Sequence, residues 1–172
     1  MTVDEVRLCA LQIMEQIWDL PDHKWGDTHT TELNKKAAES GVAFLSRLIK
    51  TEGAQGQIGA YLTLCLVSKA GDALVREFCA CDVVPSILKS LHSADPILKL
   101  SAAEILKNFT TFEQLTDANK KYVDSLDLVR NMVDVFYSTD DNKIINLILT
   151  GFLNLAKIPK LRVSTLVHLR KL

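Results

Sequence analysis

The chain has 172 residues, enough for one domain with a sizeable core. Hydrophobic residues make up 48% and charged residues 24%, which excludes the low-hydropathy, highly charged composition of a disordered chain. The net charge of −1 excludes a global field that would steer the molecule toward nucleic acid.

Finer features of composition point the same way. Aromatics are only 6%, while Leu, Ile, Val and Ala are abundant, as helix-on-helix packing favours. Seven Gly and four Pro are too few for an all-β chain with a turn every ten residues or so. No apolar run approaches the roughly 20 residues of a membrane-spanning helix. The residues after Met1 lack the charged start and long apolar stretch of a signal peptide. Cys9, Cys65, Cys79 and Cys81 do not space like a disulfide framework, so a reduced compartment, cytoplasmic or nuclear, is expected.

In chain order, residues 3–19 read as an amphipathic helix, with Val6, Ala10, Ile13, Met14 and Ile17 at three- and four-residue steps. Pro21 stops it, and residues 20–30 are polar and turn-rich, hence a loop. A short helix is expected over about 31–39. Ser40-Gly41 breaks it, and a second helix carries Val42, Leu45, Leu48 and Ile49. Thr51 to Gly56 reads as a turn. The next helix places Ile58, Leu62, Leu64 and Leu66 inside.

The following unit is cleaner. Ala73 to Cys79 forms a short helix, and Asp82 is positioned to cap the next through its carboxylate. Val84, Ile87, Leu88 and Leu91 make that helix's apolar stripe. Asp95-Pro96 restarts the chain: Asp caps, and Pro suits a first helical position that needs no N–H. Ile97 to Phe109 is then a third helix. The pattern returns with a short helix over 118–124, a capping Asp127, and a helix lined by Val129, Met132, Val133 and Phe136. Asp140 or Thr139 opens the last long helix, which runs to about Lys157 and ends at Pro159. Leu161 to Leu172 resembles the opening helix of a further unit.

Two stretches are thus loose copies, about 45 residues apart, a period that means stacked helical units. Short helix, second helix, a Ser-x-Asp turn, then a longer helix ending in Ala-x-x-x-Leu-x-Asn resembles the armadillo repeat. The residues are Val83-Val84-Pro85, Leu88, Leu91, Ser93, Asp95, Ala102-Ala103 and Leu106-Lys107-Asn108, then Gly151 and Asn154-Leu155-Ala156. The resemblance implies an all-α chain: a right-handed α-solenoid of three to four armadillo-like repeats, with HEAT-like repeats as the alternative. Its divisions are a partial repeat at 1–20, a loop at 21–30, repeats at about 31–70, 72–110 and 111–157, and a trailing helix at 160–172. Small residues at Ala102, Ala103 and Gly151 would let helices approach closely.

The resemblance also implies a role for Asn108 and Asn154. Armadillo members use an Asn here, on the groove-lining helix, to hold the backbone of an extended peptide, and an amide both donates and accepts. Alternatively each Asn bonds a neighbouring loop or carbonyl of its own fold. Members that bind nuclear signals carry Trp one turn earlier, where this chain has Glu104 and Thr150. Glu104 beside Lys107 gives a mixed-charge groove and Thr150 a neutral one. That fits a mixed polar peptide or a partner helix better than a lysine-rich segment. Lys99, Lys107 and Lys143 would instead suit an acidic stretch.

Other constellations read as structure. Cys79-Ala80-Cys81 has the wrong spacing for zinc. Asp22, His23, Asp27 and His29 share a solvated loop, flanked by Trp18 and Trp25. Asn108-Phe109-Thr110 matches a glycosylation acceptor by chance. Gly53, Gly56 and Gly59 lack the Lys-Ser/Thr of a phosphate loop. Residues 1–96 carry 9 basic against 13 acidic residues, and 97–172 carry 11 against 8. Lys157, Lys160, Arg162, Arg170 and Lys171 make the end mildly basic, most simply a solvated face. No catalytic, metal or cofactor site is expected. The leading expectation is a non-catalytic module that binds another protein along a concave face, with no nucleic acid and no membrane span. A regulatory or assembly domain acting through the ends of the stack is the second, and an unrecognised all-helical enzyme the third.

Overall fold

The structure is a computed structural model that describes residues 41–50, 54–68, 77–111 and 128–158. Every regular element among them is an α-helix, so the chain is all-α over its described residues. It divides into two compact units, Met1–Val83 and Val84–Leu172. The division falls inside the repeat expected over 72–110. The expected helices at 3–19, 31–39 and 118–124, the cap at Asp127, the loop at 20–30 and the segment 160–172 lie outside the described residues.

The first unit contains α1 (41–50), α2 (Ala54–Val67) and α3 (77–80). In α1, Val42, Leu45, Leu48 and Ile49 are buried, the stripe expected from their spacing. α2 differs from expectation. It starts at Ala54, inside the stretch read as a turn. Gln57 Nε2 donates to the Ile49 carbonyl at 3.1 Å, which satisfies an acceptor in the last turn of α1. Its buried face is Ala60, Tyr61, Leu64 and Cys65, whereas Leu62 is 43% exposed and Ile58 only half-buried. Apolar residues surround this helix on several sides, so spacing alone could not select the inward stripe.

Asp82 also has a different place. It stands at φ 50, in the left-handed region that Asp tolerates better than most side chains. The Val83 N–H donates to the Phe78 carbonyl at 3.3 Å and the Asp82 N–H to the Cys79 carbonyl at 3.3 Å. These two bonds, six-to-one and five-to-two, make a Schellman ending for α3 with Asp82 at C′. Phe78 and Val83, the apolar pair of that motif, are both fully buried. Asp82 therefore closes the helix behind it, and the next helix begins at Val84.

The second unit contains α4 (Val84–Ser90), α5 (Pro96–Thr110), α6 (Leu128–Ser138) and α7 (Asn142–Lys157). α4 packs on α5, α6 packs on α7, and α5 and α7 pack against each other. The α4 stripe is the expected one: Val84, Ile87, Leu88 and Leu91 are all buried. In α6 the inward residues are Leu128, Val129, Met132 and Val135, while Val133 and Phe136 are only half-buried. The inward face is turned by part of a helical turn from the expected one.

The long helices start alike. Asp95 caps α5, its Oδ1 accepting from the N–H groups of Ile97 at 2.8 Å and Leu98 at 3.1 Å. Pro96 follows at the first helical position. Asp141 caps α7, its Oδ1 accepting from the Lys143 N–H at 2.8 Å. The cap is thus Asp141, not Asp140 or Thr139. Thr139 buttresses it, its Oγ1 accepting from the Asp141 N–H at 3.3 Å, as Ser93 Oγ accepts from the Asp95 N–H at 3.1 Å. Ser93 matches Thr139 and Asp95 matches Asp141, so the two units align at 46 residues, one more than the sequence pattern suggested.

Candidate partner-binding face

The 46-residue register makes Asn108 on α5 the equivalent of Asn154 on α7, Glu104 that of Thr150, and Lys107 that of Leu153. The two amides are not equivalent. Asn108 is 8% exposed, in the last turn of a helix whose neighbours Phe109 and Thr110 are also buried. Asn154 is half-buried, and its Nδ2 donates to Thr111 Oγ1 at 3.2 Å. Thr111 Oγ1 in turn donates to the Lys107 carbonyl at 2.8 Å, and Thr110 Oγ1 donates to the same carbonyl at 2.8 Å. A polar chain therefore runs from α7 through Thr111 to a carbonyl in the last turn of α5, where intrahelical donors run out. Thr111 was not singled out from sequence. Its signal was its place three residues after Asn108, the usual seat of a helix cap.

Close approach of the same two helices shows at Gly151. A Cβ there would come within 2.6 Å of Met132 Cε and 3.6 Å of Thr110 Oγ1. Gly151 thus lets α7 lie between α6 and the end of α5. Ala102 and Ala103 are fully buried on α5.

Glu104 and Lys107 are both half-buried and three residues apart on α5, so they share a face. Thr150 is exposed, but its Oγ1 donates to the Asn146 carbonyl at 2.8 Å, which spends its hydrogen on its own helix. Lys143 is exposed in the first turn of α7. These residues together offer one carboxylate, two lysines, a hydroxyl and part of one amide. They can form hydrogen bonds and weak ion pairs.

Two further sequence candidates, Cys79 and Cys81, belong to the first unit. Cys79 is pushed up to about 11 by burial, and Cys81 is also raised, first by burial and then by Glu77, with Lys50 pulling it back. Both are thiols at neutral pH, poor nucleophiles and poor metal ligands. The Cys81 carbonyl matters more: it accepts from Ser46 Oγ at 3.2 Å and Lys50 Nζ at 3.3 Å, so α1 caps the end of α3 with a cation where the helix dipole favours one. No cluster of metal-ligating side chains occurs among the described residues. None of their helices is long and apolar enough to cross a membrane. The burial of Asn108 agrees with reading its glycosylation pattern as chance. The histidines at 23 and 29 and the tryptophans at 18 and 25 lie outside the described residues.

No family model and no curated protein matches the sequence. Its fold is shared by solved structures, among them two engineered proteins. One is an engineered protein, Northeast Structural Genomics Consortium Target OR497, 20% identical, with a TM-score of 0.77 over 97% of this chain. The other is an engineered protein, Target OR329, 19% identical, with a TM-score of 0.72 over 95% of this chain. This chain spans 38% of the length of the first and 63% of the second. At such identity the likeness defines an all-helical fold and carries no activity.

Proposed function

We propose that this chain is an armadillo-like α-solenoid acting as a non-catalytic adaptor, which recognises a mixed polar peptide or a helix of another protein. The repeats run over about 31–70, 72–110 and 111–157, after a partial repeat at 1–20 and before a further helix at 160–172. One observation carries the reading: cap, buttress and terminal Asn recur together at a 46-residue spacing, on two long helices that pack side by side. A unit with one apolar side completes its core by stacking on its neighbour, which is the logic of a solenoid. Stacked long helices line one surface, and here Glu104, Lys107, Thr150 and Asn154 belong to it. Asn154 would hold the ligand backbone with its Oδ1 and second N–H, while Lys143 and Lys107 would favour acid in the ligand.

The test is affinity capture with quantitative readout of each retained protein. Asn154→Ala and Glu104→Lys are compared with the parent chain. Loss of the same retained partner in both variants, with unchanged unfolding midpoints, supports the groove. Unchanged retention in both removes it. A second reading, assembly through an end of the stack, is favoured by the exposure of Leu149 and Leu153 on α7.

A further inference from the structure

The internal repeat lets one face of α7 be compared with its counterpart on α5. Thr110 lies against Gly151 and Thr111 bonds Asn154, so these residues mark the side of α5 that receives α7. Going back along α5, Lys107 and Ala103 continue that side at four-residue steps. Ala103 is 0% exposed and Lys107 half-buried. Adding 46 gives the matching side of α7: Leu149, Leu153 and Lys157. Leu149 is 40% exposed, Leu153 is 68% exposed, and Lys157 is exposed. The side that a helix covers on α5 is covered by no helix on α7 among the described residues, and it carries two leucines where α5 has Ala and Lys. Asn142 and Asn146, both exposed, extend the same stripe toward the start of α7.

Charge along α7 indicates what would cover it. Asp140 and Asp141, both exposed, stand at its start, and Lys157, exposed, stands at its end. Leu149 lies eight residues after Asp141 and eight before Lys157. An antiparallel copy of the helix, centred on Leu149, would therefore meet Leu149 with Leu149 and bring each Lys157 beside the other copy's Asp140 and Asp141. Leu153 would fall opposite Ile145 and Asn146. Lys143 lies on the edge of the same face, so each end sets two carboxylates and one ammonium against one ammonium, a net attraction. Helix polarity adds to it, since antiparallel helices place opposite dipole ends together.

We propose that the α7 face formed by Asn146, Leu149, Leu153 and Lys157 pairs with the same face of a second copy of this chain, as an antiparallel two-fold dimer. The contact is isologous, one patch serving both partners, so it closes at two copies. It sharpens the second functional reading and shares only Lys143, at its edge, with the groove. A single helix pair buries less than the ~1,600 Å² of standard stable interfaces, so the dimer is weak, with a Kd of tens to hundreds of micromolar.

Sedimentation of the full chain across a concentration series up to about 500 µM tests this. The expected result is a monomer–dimer equilibrium that weakens at least tenfold in Leu149→Ser and in Leu153→Ser, with unchanged unfolding midpoints. Lys157→Glu and Asp140→Lys should each weaken the dimer. An equimolar mixture of those two variants should restore it, because only the mixed pair sets acid against base at both ends. A purely structural effect of either change would not be rescued by mixing. A monomer throughout the series, a dimer indifferent to both leucine changes, or no rescue on mixing overturns the proposal. So does slow alkylation of Leu153→Cys in dilute monomer, which would mean that another part of the chain covers the face. Asn154→Ala should leave the dimer intact, so this dimer and the groove can fail separately.

Discussion

Helices α5 and α7 begin with the same chemistry and finish in different surroundings. Each starts at an Asp cap whose own N–H is held by a hydroxyl two residues earlier, and each carries Asn thirteen residues after that cap. Yet α5 buries Leu98, Ser101, Ala102, Ala103, Ile105, Leu106, Asn108, Phe109 and Thr110, nearly its whole circumference. α7 buries Ile144, Ile148, Gly151, Phe152 and Leu155, one broad side. The local code that starts a helix is therefore separate from what covers it. Burial is set by neighbours, and among the described residues no helix covers α7 on the side where α5 has α7 itself.

The largest expected effect follows from that asymmetry. Phe109→Ala on α5 should cost about 3–5 kcal/mol of unfolding free energy, because it empties a fully enclosed site. Leu153→Ala on α7 should stay within about 0.5 kcal/mol, because most of that side chain already meets water. Urea unfolding of both variants checks the pair. Equal losses would break the comparison, since Leu153 would then have to be buried in the folded chain.

Gly151 comes next. Gly151→Leu forces a large side chain between Met132 and Thr110 and should cost about 1–3 kcal/mol. Gly151→Ala meets only the tip of Met132, a flexible group, and gains about 1 kcal/mol in helix propensity, so the two terms nearly cancel. The equivalent residue on α5 is Ile105, fully buried. A glycine is needed at this place only where Met132 stands against it. The cost of Gly151→Leu should accordingly shrink in a Met132→Ala background, measured as a double-mutant cycle.

The caps differ by a smaller amount. Asp95→Ala removes an acceptor for two N–H groups and should cost about 1–2 kcal/mol, while Asp141→Ala removes an acceptor for one and should cost nearer 0.5–1 kcal/mol. Thermal unfolding that ranks them the other way would show that the start of α7 depends on its cap more than α5 does.

How much of this was legible beforehand varied with the physics involved. The α4 stripe was plain because Val84, Ile87, Leu88 and Leu91 are apolar on a polar background. The α2 face was not, because Leu62, Leu64 and Leu66 are apolar in a helix with little polar contrast. Three consecutive residues, Thr139, Asp140 and Asp141, can all accept from a helix N-terminus; the sequence pointed to Asp140 or Thr139, and the structure places the cap one residue later, at Asp141. Asp82 misled because the left-handed Asp of a helix ending and the capping Asp of a helix start look identical in sequence. The candidate face followed the same rule. The positions of Asn108 and Asn154 were readable from the repeat, but their unequal burial depends on which side each helix shares with a neighbour. Leu149 and Leu153 passed unnoticed because they sit in an apolar run that reads as core throughout.

The smallest expected effect bears on how α5 and α7 are tied together. The Asn154–Thr111 bond, at 3.2 Å, lies at the surface, and water can replace either partner. Its net value should be about 0.5–1 kcal/mol, read as the coupling between Asn154→Ala and Thr111→Val in a double-mutant cycle. Thr111→Val alone also removes a donor from the Lys107 carbonyl, but Thr110 Oγ1 still bonds that carbonyl, so the single change should be mild. A coupling near zero would mean that packing around Gly151, not the polar chain, holds the two helices in register. In that case the Asn154 amide could turn to a ligand at no structural cost, and the groove proposed above would gain an amide that the bond to Thr111 now partly occupies.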